Sequence, residues 1–215
     1  MRIFLDTANI EQIRSAVKLG VISGVTTNPT LVSKENGSYR DLVTQICALV
    51  PGPVSAEVLG EKAADMVKQA HDIVTWAPNI AVKIPATEAG VEATSILSRE
   101  GIKVNFTLCF SLNQALLAAI AGAAYVSPFV GRLDDAGHDG MALVKEIVDV
   151  YAHYQLPTQV IAASLRHTRH CVEAAKAGAH IATMPYAVLM QMIRHPLTDV
   201  GIERFRKDFQ AALKS

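Results

Sequence analysis

The sequence is short of cysteine, of net charge and of long apolar runs, and each shortage removes a class of protein. Three cysteines, Cys47, Cys109 and Cys171, are scattered through 215 residues with no CxxC pair. An odd, dispersed set builds no disulfide framework and fits a reducing, cytoplasmic setting. Lys+Arg and Asp+Glu number 20 each, so the formal net charge is zero. That balance argues against a nucleic-acid or anionic-membrane binder, while leaving room for a small anion held by one or two arginines. Residues 1–6 carry no long apolar leader, and residues 115–126, the most apolar stretch, are too few and too rich in Ala and Gly to span a bilayer. No linker, charge block or low-complexity tract divides the chain, so residues 1–215 read as one domain.

Apolar residues make up 50% of the chain and the mean hydropathy is +0.25. Such a composition suits strands covered on both faces, or large contacts between subunits. Short β-branched runs at residues 2–6, 24–28, 54–58, 80–85, 103–108, 125–130, 158–164 and 180–185 alternate with segments of helical period. The helical segments are 10–19 behind Asn9, 39–49 behind Ser38, then 62–76, 88–100, 112–121, 140–153, 169–177 and 187–194, with a last amphipathic piece from residue 198 onward. Gly20, Gly101, Gly122 and Gly178 each stand where a helix should stop before the next strand. Eight strands alternating with helices imply parallel pairing. The economical arrangement is α/β: a (β/α)8 TIM barrel with residues 198–215 as a C-terminal helix, and a doubly wound open sheet is the alternative.

One residue breaks the apolar strands conspicuously. Lys83 sits between Val82 and Ile84 in the run 80–85. A buried ammonium either finds a carboxylate or gives up its proton. Lys83 is one case of a pattern, because nearly every strand ends in polar residues: Asp6; Thr26, Thr27 and Asn28; Glu57; Asn105 and Thr107; Ser127, with Arg132 just beyond; Ser164, followed by Arg166. In a parallel barrel these C-terminal ends meet on one face, where barrel enzymes keep their active sites. A lysine flanked by two carboxylates suits amine catalysis on a ketone. A neutral amine forms an iminium ion, the iminium accepts the electrons of a breaking C–C bond, and the acids move protons. Two arginines suit bidentate contact with a phosphate.

The motifs Phe4-Leu5-Asp6-Thr7-Ala8-Asn9, Gly24-Val25-Thr26-Thr27-Asn28-Pro29, Ser55-Ala56-Glu57-Val58, Val82-Lys83-Ile84-Pro85, Asn105-Phe106-Thr107-Leu108, Ser127-Pro128-Phe129-Val130-Gly131-Arg132 and Ala163-Ser164-Leu165-Arg166 occur in this order. Together they resemble the transaldolase family, in its short-chain form that also contains fructose-6-phosphate aldolases. The resemblance implies that Lys83 is the Schiff-base lysine. Glu57 would work with Thr107 through a water in imine formation and hydrolysis, and Asp6 would take the hydroxyl proton during C–C cleavage. It further implies that Asn28 and Asn105 orient substrate hydroxyls, that Ser127 lies near the terminal hydroxyl of the adduct, and that Arg132, Ser164 and Arg166 hold the sugar phosphate. The family's pattern implies no metal and no organic cofactor, sugar phosphates as the only partners besides other copies of the chain, and a homo-oligomer, a pentamer or decamer.

Two positions bear on the choice within that family. Its aldolase-like members carry Gln where this chain has Glu57 and Tyr where it has Phe129. Phe129 has no proton to give an enamine, which favours transfer to an aldehyde acceptor over release of free dihydroxyacetone. Transaldolase in the non-oxidative pentose phosphate pathway is therefore the expected activity, fructose-6-phosphate aldolase the alternative, and a non-catalytic sugar-phosphate-binding barrel a remoter one. Other patterns read as structural. Residues 134–139 carry Asp134, Asp135, His138 and Asp139 without a recognised ligand spacing and read as a solvated loop with a helix cap at Asp139. His167 and His170 fall at a helix start near the phosphate end, where one of them could shade the field felt by the anion.

Overall fold

A computed structural model describes residues 1–213. Strands β1 (Arg2–Asp6), β2 (Ile22–Thr26), β3 (Val54–Glu57), β4 (Ile80–Pro85), β5 (Val104–Cys109), β6 (Tyr125–Pro128), β7 (Gln159–Ala162) and β8 (Ile181–Met184) close into a barrel in chain order. Every neighbouring pair is parallel, including β8 with β1, so the fold is the (β/α)8 TIM barrel and the open doubly wound sheet is excluded.

The helices outside the barrel are α1 (Ile10–Val17), α2 (Pro29–Val32), α3 (Tyr39–Leu49), α4 (Ala63–Ile73), α5 (Glu88–Arg99), α6 (Leu112–Ile120), α7 (Val130–Asp135), α8 (Gly140–His153), α9 (Thr168–Lys176), α10 (Tyr186–Ile193) and α11 (Pro196–Ala212). Asn9, Ser38 and Asp139 cap α1, α3 and α8 through side-chain oxygens that accept main-chain N–H groups, as their positions predict. The four helix-ending glycines all have positive φ, between 70° and 89°. Helices α2 and α7 have no counterpart in the sequence reading. Each is too short to show a period, and the strand expected over 125–130 ends at Pro128 as the chain turns into α7. The strands expected to run through Asn28 and Ser164 end likewise at Thr26 and Ala162.

The placement of Lys83 follows from the two-residue period of a strand. Ile80, Val82 and Ile84 belong to the apolar layer between sheet and helices, while Ala81 belongs to a separate cluster inside the barrel with Phe4, Tyr125, Ile161 and Ile181. Lys83 is in phase with Ala81 and therefore points inward, one step closer to the C-terminal mouth. The same step separates Phe4 from Asp6, Tyr125 from Ser127, Ile161 from Ala163 and Ile181 from Thr183. The barrel is thus plugged at one end by an apolar layer and lined above it by polar side chains. Phe4 fills the room that Gly24 leaves, since a Cβ there would meet its ring at 2.5 Å.

Candidate active site

The polar layer floors a cavity of about 550 Å³ at the C-terminal mouth. Lys83 is its deepest charge and is only 4% exposed. Strand pairing places Glu57 opposite Lys83, and the ammonium Nζ lies 3.2 Å from Glu57 Oε2 while donating to the Thr27 carbonyl at 3.0 Å. Glu57 is fixed from behind. Its N–H donates to the Tyr39 hydroxyl at 2.7 Å, and that hydroxyl lies 3.2 Å from its carbonyl oxygen. Burial pushes the Tyr39 phenol up to about 12, so it keeps the proton it donates.

Asp6 faces the same cavity from β1. Thr26 Oγ1 donates to Asp6 Oδ1 at 2.7 Å, which leaves Thr183 Oγ1, 2.6 Å away, to donate to Thr26. Burial pushes the Asp6 carboxyl above its ordinary range, against the opposing pull of the Lys83 ammonium and of the Thr26 hydroxyl. A carboxylate held this way is a stronger base than one in water, suited to taking a proton from a substrate hydroxyl.

On the facing side, Ser127 Oγ donates to Asn105 Oδ1 at 2.7 Å, and Asn105 Nδ2 donates to Ser55 Oγ at 2.9 Å. Phe129 forms the wall above Lys83, its ring centroid 5.9 Å from Nζ, with the Arg132 guanidinium 5.3 Å from that centroid. Arg132 rises from the short helix α7, and Arg166 from the β7–α9 loop. Between them stands Ser164, which holds φ at +59° and accepts the Gly131 N–H at 3.1 Å through its carbonyl. A left-handed serine costs about 1–3 kcal/mol and persists where the surroundings impose it.

Asp6, Asn28, Glu57, Lys83, Ser127, Phe129, Arg132, Ser164 and Arg166, all singled out from the sequence, line this one cavity. A family model described as transaldolase/fructose-6-phosphate aldolase matches residues 3–215. The chain belongs to the transaldolase/fructose-6-phosphate aldolase family. It is 64% identical over 216 residues, all of both chains, to a protein of Dehalococcoides mccartyi named probable transaldolase. Proteins of the same name from Desulforudis audaxviator and Heliobacterium modesticaldum are 58% identical over 209 residues (97% of each chain) and 56% identical over 211 residues (98% of each chain). The chain is an enzyme of this kind.

Two residues expected at the site do not line the cavity. Asn105 and Thr107 are both fully buried and do not reach its surface. The β5–β6 register slips between Phe106 and Cys109, and Leu108, at φ +54°, lines the cavity instead. Thr107 Oγ1 is buried with no hydrogen-bond partner among the described residues, a costly state for a hydroxyl. Asn28 caps α2, its Oδ1 accepting the Leu31 N–H at 3.0 Å, while remaining on the cavity wall. Thr183 and Leu108 were not singled out from the sequence. Thr183 has the signal the others had, a hydroxyl at the end of a predicted strand, whereas Leu108 has none.

Among the described residues no cluster of His, Cys, Asp and Glu could hold a metal ion. Asp134 lies within α7, where it pairs with His170, and Asp139 caps α8.

Proposed function

We propose that this chain is a transaldolase that moves a dihydroxyacetone unit from a ketose phosphate, fructose 6-phosphate or sedoheptulose 7-phosphate, to an aldose phosphate. The observation that carries this reading is Lys83: an amine buried beneath a cavity, beside Glu57, with two arginines at the rim. Glu57 takes a proton from the Lys83 ammonium, and the freed amine attacks the ketose carbonyl and forms a carbinolamine. Glu57, with a water held at Thr107 Oγ1, supplies and removes the protons as water leaves and the iminium forms. Asp6 takes the proton of the C4 hydroxyl, the C3–C4 bond breaks into the iminium, and the aldose departs. The enamine left on Lys83 attacks the incoming aldehyde, Asp6 returns its proton to the new hydroxyl, and hydrolysis frees the product.

Asn28 and Ser127 contact substrate hydroxyls in this reading. Asn105 acts through Ser127: it accepts that hydroxyl's proton and so turns its lone pairs toward the cavity. Arg132, Ser164 and Arg166 hold the phosphate. Phe129 keeps water and acid from the enamine, which favours transfer over release. The reaction needs neither metal nor organic cofactor, and it belongs in the non-oxidative pentose phosphate pathway of the cytoplasm. Among the described residues no helix is long and apolar enough to cross a membrane.

The reading includes self-association. Helix α11 has no buried residue, and Leu197, Val200, Ile202, Phe205, Phe209 and the following Leu213 are exposed. A row of this kind at helical spacing fits the surface of a second copy of the chain, in a ring of five or a pair of rings. Residues 214–215 of the expected C-terminal helix lie outside the described residues.

The test is turnover of fructose 6-phosphate with and without erythrose 4-phosphate. A transaldolase makes sedoheptulose 7-phosphate with the acceptor and little free dihydroxyacetone without it. Sustained release of dihydroxyacetone in the absence of acceptor would make the enzyme an aldolase, and binding without turnover would make it a sugar-phosphate-binding barrel.

A further inference from the structure

His170 lies in the first turn of α9, behind the two arginines, and is 7% exposed. Both ring nitrogens are engaged. Nδ1 accepts the main-chain N–H of Arg166 at 3.2 Å, and Nε2 lies 3.0 Å from Asp134 Oδ2. A ring that accepts at Nδ1 carries its proton on Nε2 when neutral, so it donates to Asp134. Asp134 stands on α7, two residues beyond Arg132, and its other oxygen accepts the Gly140 N–H at 2.9 Å. One side chain thus ties the main chain that carries Arg166 to the helix that carries Arg132.

We propose that His170 is a positioning residue for the anion rim: it fixes the Arg166 main chain to α7, so that Arg132 and Arg166 meet a phosphate from two elements at a set spacing. The proposal rests on the reading above that these arginines bind the sugar phosphate. Three further observations support it. Gly131 and Ser164 form a second tie between the same two elements, and a Cβ at Gly131 would lie 2.6 Å from Arg166 Nε, so the two backbones pack with no slack. The Arg166 guanidinium is paired with Asp135 of α7 at 2.7 Å. That pair uses one guanidinium nitrogen and leaves the other donors for a phosphate, so a fixed main chain sets where they point. Burial, with the nearby His167, pushes the His170 imidazole below its ordinary range, against Asp134 and Glu173, and so keeps Nδ1 an acceptor near neutral pH. His167 itself caps α9 and touches the His170 ring, 3.7 Å between centroids.

The test compares His170→Asn, whose amide oxygen can stand near Nδ1, His170→Gln, whose amide reaches toward Asp134, and His170→Ala, which keeps neither contact. Arg166→Ala runs alongside. Three quantities are read: KM and kcat for fructose 6-phosphate, Ki for inorganic phosphate, and borohydride trapping of dihydroxyacetone, which has no phosphate, on Lys83. Loss of one buried hydrogen-bonding partner corresponds to about a tenfold change. KM and the phosphate Ki should therefore rise about tenfold in His170→Ala and least in His170→Asn, while dihydroxyacetone trapping keeps the wild-type rate. Unchanged KM and Ki in His170→Ala, with both raised in Arg166→Ala, would overturn the role of His170 alone. So would a loss of dihydroxyacetone trapping in step with the other two, which marks a general structural defect. Unchanged constants in Arg166→Ala would overturn the phosphate reading and the proposal with it.

Discussion

Lys83 and Glu57 are register partners across β4 and β3, and their side chains meet 3.2 Å apart at the floor of the barrel mouth. Two adjacent strands place them there, with no flexible segment involved, so the spacing of amine and acid is set by the sheet. A pair this buried contributes little net stability, because desolvation offsets most of the attraction. In the proposed reaction the pair holds opposite charges, ready to exchange a proton, where a carbonyl can reach them.

Asp6 shows a conflict between stability and chemistry. Its carboxyl is raised in the native state by burial. A raised group favours the native state below its unfolded pKa and loses that contribution as pH rises through the native value. At pH 7 Asp6 therefore weighs against folding, and Asp6→Asn should melt at a higher temperature than the wild type while transfer falls by about 10²–10⁴. Thermal melts at pH 7 and near pH 3.5 check this. The gain should shrink at the lower pH, and no gain at pH 7 would contradict the desolvation argument.

Phe129 closes the wall above Lys83. Phe129→Tyr places a proton donor beside the enamine. Free dihydroxyacetone should then appear from fructose 6-phosphate without acceptor, at a rate at least about tenfold above wild type. A coupled reductase assay measures it, and transfer to erythrose 4-phosphate should decline in parallel.

Gly131 has room for no side chain: a Cβ would lie 2.3 Å from the Ser164 carbonyl oxygen. Gly131→Ala should push α7 away from the Ser164–Arg166 loop, at a cost of about 1–3 kcal/mol. A lowered melting temperature, together with a raised KM for fructose 6-phosphate, is the expected result.

The apolar row on α11 predicts the state of assembly. Replacing Phe205 and Phe209, both exposed, with Asp should shift the protein to smaller species in sedimentation velocity. If the wild type is itself monomeric at micromolar concentration, the row serves another purpose.

The barrel was legible because strand and helix alternate with little interruption. Glycines such as Gly101 and Gly178 mark the joints, and both adopt the positive φ their position requires. The inward face was legible at Lys83, where a charge interrupts apolar neighbours that turn out to lie under helices. What stayed hidden has local causes. Helix α7 is only six residues long and begins in what reads as a strand end, so the closeness of Asp134 to His170 had no signal. The register slip between β5 and β6 accompanies Leu108 reaching the cavity wall, and no residue type marks such a slip. His170 and Arg166 are four residues apart, but their contact depends on how the loop after β7 turns.

The most direct measurement is reduction with borohydride in the presence of fructose 6-phosphate, followed by peptide mass spectrometry. A reduced dihydroxyacetone adduct is expected on the peptide containing Lys83, and none in Lys83→Met. An unmodified Lys83 in protein that still turns substrate over, or an adduct on another lysine, would rule out Lys83 as the Schiff-base residue.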